Sequence, residues 1–163
     1  MLHSRRRPGS TLTFCLLLVL FPGYLLEAAE PERIAAISKD QQRIQDIVDA
    51  FVARLSLKQR VSVSVVPRNP LMFSVEFDDL VTGFQLSVQE DFIGELTQEE
   101  LEAAVAHELG HVWIFTHHPF LQTEALANEI AQRLVSRSTL VQVYEKVWQR
   151  QGARGDLGRY VGD

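Results

Sequence analysis

The sequence predicts an α+β fold: an N-terminal helix, a small antiparallel sheet of about three strands, a long central helix and two further helices. Three observations predict it. Apolar residues recur at helical spacing before residue 57, short β-branched or alternating runs fill residues 61–89, and a sharply marked helix start at Thr97 opens a second helical region. The 163 residues, 46% of them hydrophobic, suffice for one domain with a modest core.

The first stretch stands outside that core. Arg5, Arg6 and Arg7 precede an apolar run from Leu12 to Leu26 that is broken by Pro22-Gly23 and followed by Ala28 and Ala29. A positive flank, a short apolar run and small residues read as a signal peptide over residues 1–29, because the run is too short and interrupted for a membrane span. Cleavage there removes three positive charges and one negative, taking the formal net charge from −5 to −7. An acidic, exported domain is expected, periplasmic or secreted, with no second apolar span for a membrane and no basic patch for nucleic acid. Cys15, the one cysteine, falls inside the leader, so no disulfide framework is available.

Residues 30–151 then read as the domain. Pro31 to about Leu57 is a helix, with Ile34, Ile37, Ile44, Ile47, Val48, Phe51, Val52 and Leu55 at helical spacing. Val61 to Val65 alternates as a strand, and Pro67 to Pro70 breaks it. Leu71 to Phe77 supplies a second strand, and Thr82 to Gln89 a third. Their short links suggest an antiparallel meander. Thr97 and Glu100 form a T-x-x-E capping box, flanked by Leu96 and Leu101 as a hydrophobic staple. The helix they open carries Leu101, Ala104, Val105, Leu109 and Val112 as its apolar stripe and must end by His118, before Pro119. Thr123 caps a helix from Glu124 to about Val135, and Ser138 another to about Gln149. Residues 152–163 read as a loose tail.

The chemistry lies in the capped helix, where His107-Glu108-Leu109-Gly110-His111 reads H-E-x-x-H. Residues four apart share a helix face, so His107 and His111 can offer two imidazole nitrogens to one metal ion, with Glu108 beside them and not spent as a ligand. A catalytic zinc takes three protein ligands and keeps one position open. His117, His118, Glu124 and Glu129 are the candidates for the third. His117 stands where H-E-x-x-H-x-x-G-x-x-H places its last histidine, but that pattern needs a glycine to turn the chain, and Ile114 holds the position. On a straight helix His118 lies about 10 Å along the axis from His111, too far to share an ion, and Glu129 points elsewhere. Glu124, in the first turn of a helix joined to the first by a short link, fits better, with His117 the alternative. Asn128, one turn on, can accept the other imidazole N–H of His107.

The run Glu99 to Val112, followed by Glu124-Ala125-Leu126-Ala127-Asn128, resembles the gluzincin metallopeptidases of the HtpX and CAAX-prenyl-endopeptidase type. It is also similar to the ImmA/IrrE-type peptidases, which have Asn at the Asn128 position. The resemblance covers about residues 82–135. It implies a zincin-like fold, one zinc ion held by His107, His111 and Glu124, a catalytic Glu108, and an outer hydrogen bond from Asn128. Two departures stand out: the link between the motifs is unusually short, and the membrane helices of the HtpX-like members are missing.

The expectation is an exported zinc endopeptidase that hydrolyses a polypeptide substrate by a zinc-activated water, with Glu108 as general base. The substrate strand would add along Phe84 to Gln89, and His117, His118, Tyr144 or Tyr160 would stabilise the oxyanion. The short link predicts a shallow groove. The rival expectation is a non-catalytic zinc-binding or partner-binding module on the same scaffold. A weaker one is a metal-sequestering or chaperone-like periplasmic protein.

Overall fold

The computed structural model describes residues 29–80 and 82–162. The stretch read as a signal peptide therefore lies, up to residue 28, outside the described residues. Six helices and three strands follow in the order α1 (Ala29–Arg54), β1 (Val61–Val66), β2 (Phe73–Asp78), β3 (Gly83–Gln89), α2 (Glu90–Ile93), α3 (Gln98–His117), α4 (Glu124–Ala131), α5 (Arg137–Gln151) and α6 (Leu157–Val161). A 3-10 turn, Pro119–Leu121, sits between α3 and α4.

The molecule is organised around α3. Its capping box is formed: Glu100 N–H donates to Thr97 Oγ1 at 3.2 Å, and Thr97 N–H donates to Glu100 Oε2 at 2.7 Å. Lys146 of α5 also donates to that carboxylate oxygen, at 2.6 Å, so the cap joins two helices. Leu101, Ala104, Val105, Leu109 and Val112 are all buried, as their stripe predicts. Ala103, Ala106, Gly110 and Ile114 are buried as well, because α3 is covered by α1, β2, α4 and α5. A helix so enclosed is apolar on most of its circumference. α1 contributes Ile44, Val48, Phe51 and Leu55 to the core, whereas Ile34, in its first turns, is 62% exposed.

The sheet is mixed rather than an antiparallel meander. Its order is β1-β3-β2, with β3 parallel to β1 (Val63 beside Leu86) and antiparallel to β2 (Val75 beside Leu86). The Pro67–Pro70 link does not fold back as a hairpin. Buried Asn69 within it donates to Ser74 Oγ and to the Ser87 carbonyl, and its own N–H bonds the Gln89 side chain, so the link is tied across β3. β2 is thereby left at one edge, with Glu76 and Phe77 exposed. The opposite edge, on β1, is covered by Gln45 of α1, whose side chain donates to Val61 O and accepts from Val63 N–H, both at 3.0 Å.

The last helices also differ from expectation. α5 is capped by Ser136, whose Oγ accepts from Thr139 N–H, and so starts before Ser138. The end of the chain is not a loose tail. α6, capped by Asp156, buries Val161, and Gln132, the C-cap of α4, donates to the Val161 carbonyl. Among the described residues no helix is long and apolar enough to cross a membrane.

Candidate metal centre

Two helices bring the polar groups together. His107 and His111 project from one face of α3, and Glu124 opens α4, which Thr123 caps by accepting from Leu126 N–H. The helices lie backbone to backbone at this point. A Cβ on Gly110 would stand 2.9 Å from Ala127 Cα and would collide with the Ala127 carbonyl oxygen, so only glycine permits the approach.

The outcome is a tight group. His107 Nε2 lies 3.3 Å from His111 Nε2 and 3.2 Å from Glu124 Oε2, and His111 Nε2 lies 3.5 Å from Glu124 Oε1. Each residue's ligating atom is within 4.8 Å of the others. The hydrogen bonds on the far side of each ring determine what those atoms carry. Gln122 Nε2 donates to the His111 carbonyl at 3.1 Å, which turns Gln122 Oε1 to His111 Nδ1, also at 3.1 Å, so Nδ1 donates. Fully buried Asn128 likewise donates from Nδ2 to Tyr144 Oη and to the Tyr160 carbonyl, leaving Oδ1 to accept from His107 Nδ1 at 2.9 Å. With Nδ1 donating outward, each ring in its metal-binding form directs an Nε2 lone pair at the other and at a carboxylate. That arrangement is repulsive until a cation stands among them. The residues fit a metal ion with two nitrogen donors and one oxygen donor, the set that zinc takes in open sites.

Charge tells the same story. Burial disfavours the His111 imidazolium, but its bonds to Glu124 and Gln122 outweigh this and raise its pKa. Where a proton takes the cation's place between the rings and the carboxylate, hydrogen bonds from His107 and His111 hold the Glu124 carboxyl far below the ordinary carboxylate range. The group attracts positive charge.

Glu108 lies beside the cluster, 9% exposed. Burial is the largest influence on it and pushes its pKa up, against the pull of the two histidines and a bond from the backbone of Val75 on β2. It opens on a cleft of about 1000 Å³ that His107, His111 and Glu124 also line. A cleft of this volume forms despite the short link after His111, because most of its lining comes from β2, α3 and α5, with Gln122 the link's contribution. Phe77, Phe84 and Phe115 form one aromatic cluster in the lining, with Phe77 and Phe115 stacked at 5.5 Å, and Tyr144, Trp148 and Tyr160 form a second.

The other candidates stand apart. Helix α3 runs straight through buried Ile114, so His117 turns away, stacks on Trp113 at 4.2 Å and shares a hydrogen bond with the Trp113 carbonyl. His118 ends the helix against the same indole, and Glu129 is exposed on α4. Tyr144 donates its one hydroxyl hydrogen to Glu124 Oε2 at 3.0 Å, which removes it as an oxyanion donor. Gln122 and Gly110 went unremarked in the sequence. A polar residue in a link carries no periodic signal, and the need for glycine appears only once two backbones meet.

No family model matches this chain, and no solved structure matches it. Among curated proteins, a protease HtpX homolog of Pyrobaculum islandicum is 32% identical over 74 residues, 45% of this chain and 21% of that protein. A protease HtpX homolog of Archaeoglobus fulgidus is 37% identical over 70 residues, 43% of this chain and 20% of that protein. The chain thus spans about a fifth of the length of the curated relatives it matches.

Proposed function

We propose that this chain is a zinc-dependent endopeptidase, exported and acting on polypeptide substrates. One observation carries the reading: His107, His111 and Glu124 converge on one point, with the buried carboxylate of Glu108 beside them at the wall of an open cleft. The partial similarity to protease HtpX homologs supports it. A structural zinc closes its coordination with a fourth protein ligand and has no use for a neighbouring carboxylate, so the arrangement favours catalysis over a non-catalytic module.

Zinc at this site would supply a Lewis acid that polarises a peptide carbonyl and acidifies water. The chain supplies the rest. Glu108, made more basic by burial, takes a proton from water and delivers it to the leaving amine. Asn128 and Gln122 hold the two imidazoles with Nε2 turned inward. The substrate adds to the sheet at β2 rather than along Phe84 to Gln89, because β3 is paired on both sides and Gln45 caps β1. An extended peptide along β2 lies over Glu108. Hydrolysis of an unfolded protein such as casein by the purified chain, lost on chelation and restored by zinc, tests the reading. A chain that binds zinc and cleaves no peptide would leave the non-catalytic module.

A further inference from the structure

We infer that Tyr144 is a positioning residue of the metal centre, its hydroxyl locking the Glu124 carboxylate and, through Asn128, the ring of His107. The inference rests on the metal-centre reading above. Glu124 needs such a restraint. It opens a helix at the protein surface, its side chain is 45% exposed, and a glutamate there has several rotamers open to it. Tyr144, on α5, closes a ring of contacts around it. His107 Nδ1 donates to Asn128 Oδ1, Asn128 Nδ2 donates to Tyr144 Oη, Tyr144 Oη donates to Glu124 Oε2, and Glu124 Oε2 returns to His107 Nε2 at 3.2 Å.

Every hydrogen in that ring has one place to go. The two amide hydrogens of Asn128 are spent on Tyr144 and on the Tyr160 carbonyl, so the hydroxyl must accept from Asn128 and its own hydrogen must point at Glu124. The phenol ring is fixed as well. It meets His107 edge-on at 5.8 Å and stacks on Tyr160 at 5.7 Å, which draws α6 into the same assembly. One hydroxyl therefore sets the orientation of a ligand from each of the two helices.

Tyr144→Phe keeps the ring and deletes the hydroxyl. In the full purified chain we expect zinc, titrated against a competing chromogenic chelator, to bind about tenfold more weakly than in the wild type, the scale on which a lost outer hydrogen bond acts. In the cobalt(II)-loaded variant, the visible d–d bands should shift as Glu124 changes its mode of binding, a signature that weaker packing alone would not give. Equal affinity with an unchanged spectrum overturns the inference. Failure of the wild-type chain itself to bind zinc overturns instead the metal-centre reading beneath it. Should Tyr144→Phe fail to fold, a crystal structure of the zinc-loaded wild type decides. Tyr144 Oη within hydrogen-bond distance of Glu124 supports the inference, and a longer separation overturns it.

Discussion

The backbone of Ala127 passes so close to Gly110 that the glycine has no room for a single added carbon. This contact sets the distance between α3 and α4, and with it the distance from the two histidines to Glu124. Gly110→Ala should lower the stability of the fold by about 1–3 kcal/mol, the usual cost of an extra methyl in a close-packed site. It should also weaken zinc binding, since α4 must move away. Urea unfolding and a zinc titration on the same protein check both, and a variant with wild-type stability and affinity would show that the contact is soft.

Glu100 ties the start of α3 to α5. Burial raises its pKa, but the Lys146 ammonium and the Thr97 amide outweigh burial and lower it below the ordinary glutamate value. A carboxyl whose folded pKa is depressed stabilises the fold above its unfolded pKa, near 4.3, and loses that contribution as the pH falls through the folded value. Glu100→Gln should cost about 1–3 kcal/mol at pH 7, as expected for a charge-assisted bond, and flatten the loss of stability below pH 4. Denaturation midpoints across pH 2–7 measure this. An unchanged acid limb would place the sensitivity on another carboxylate.

The cleft should discriminate by charge. Glu76, Glu108 and Glu124 line it, and among the described residues no lysine or arginine does. Peptides carrying aspartate near the scissile bond should have a kcat/KM about threefold below that of neutral apolar ones for the part owed to exposed Glu76, a gap that narrows at high salt and in Glu76→Gln. Paired peptide substrates at two ionic strengths test it. Equal rates on acidic and neutral peptides would contradict it.

Much of this was legible because it depends on short range. A capping box is four residues long, H-E-x-x-H is one turn and a half, and the link to Glu124 is too short to place α4 anywhere but against α3. Ile114 told against His117 for a local reason also, since a β-branched residue continues a helix better than it turns one. What escaped depends on long range. The alternation of β2 gives its two faces but not its place in the sheet, and the exposed Glu76 was a clue to an edge strand that the hairpin spacing overrode. Tyr144 reaches Glu124 across 20 residues, and the cleft wall on α5 begins only at Leu140, well beyond the motif it serves. The tail offered five helical residues among glycines, too few to signal that Val161 would be buried.

In the proposed mechanism Glu108 acts on water while His107, His111 and Glu124 hold zinc. Glu108→Gln removes the base and keeps the shape. Measured together, zinc content should remain at one ion per chain, and peptide hydrolysis should fall by about 10²–10⁴-fold, the contribution of a positioned general base. Full hydrolytic activity in Glu108→Gln with zinc bound would contradict the account.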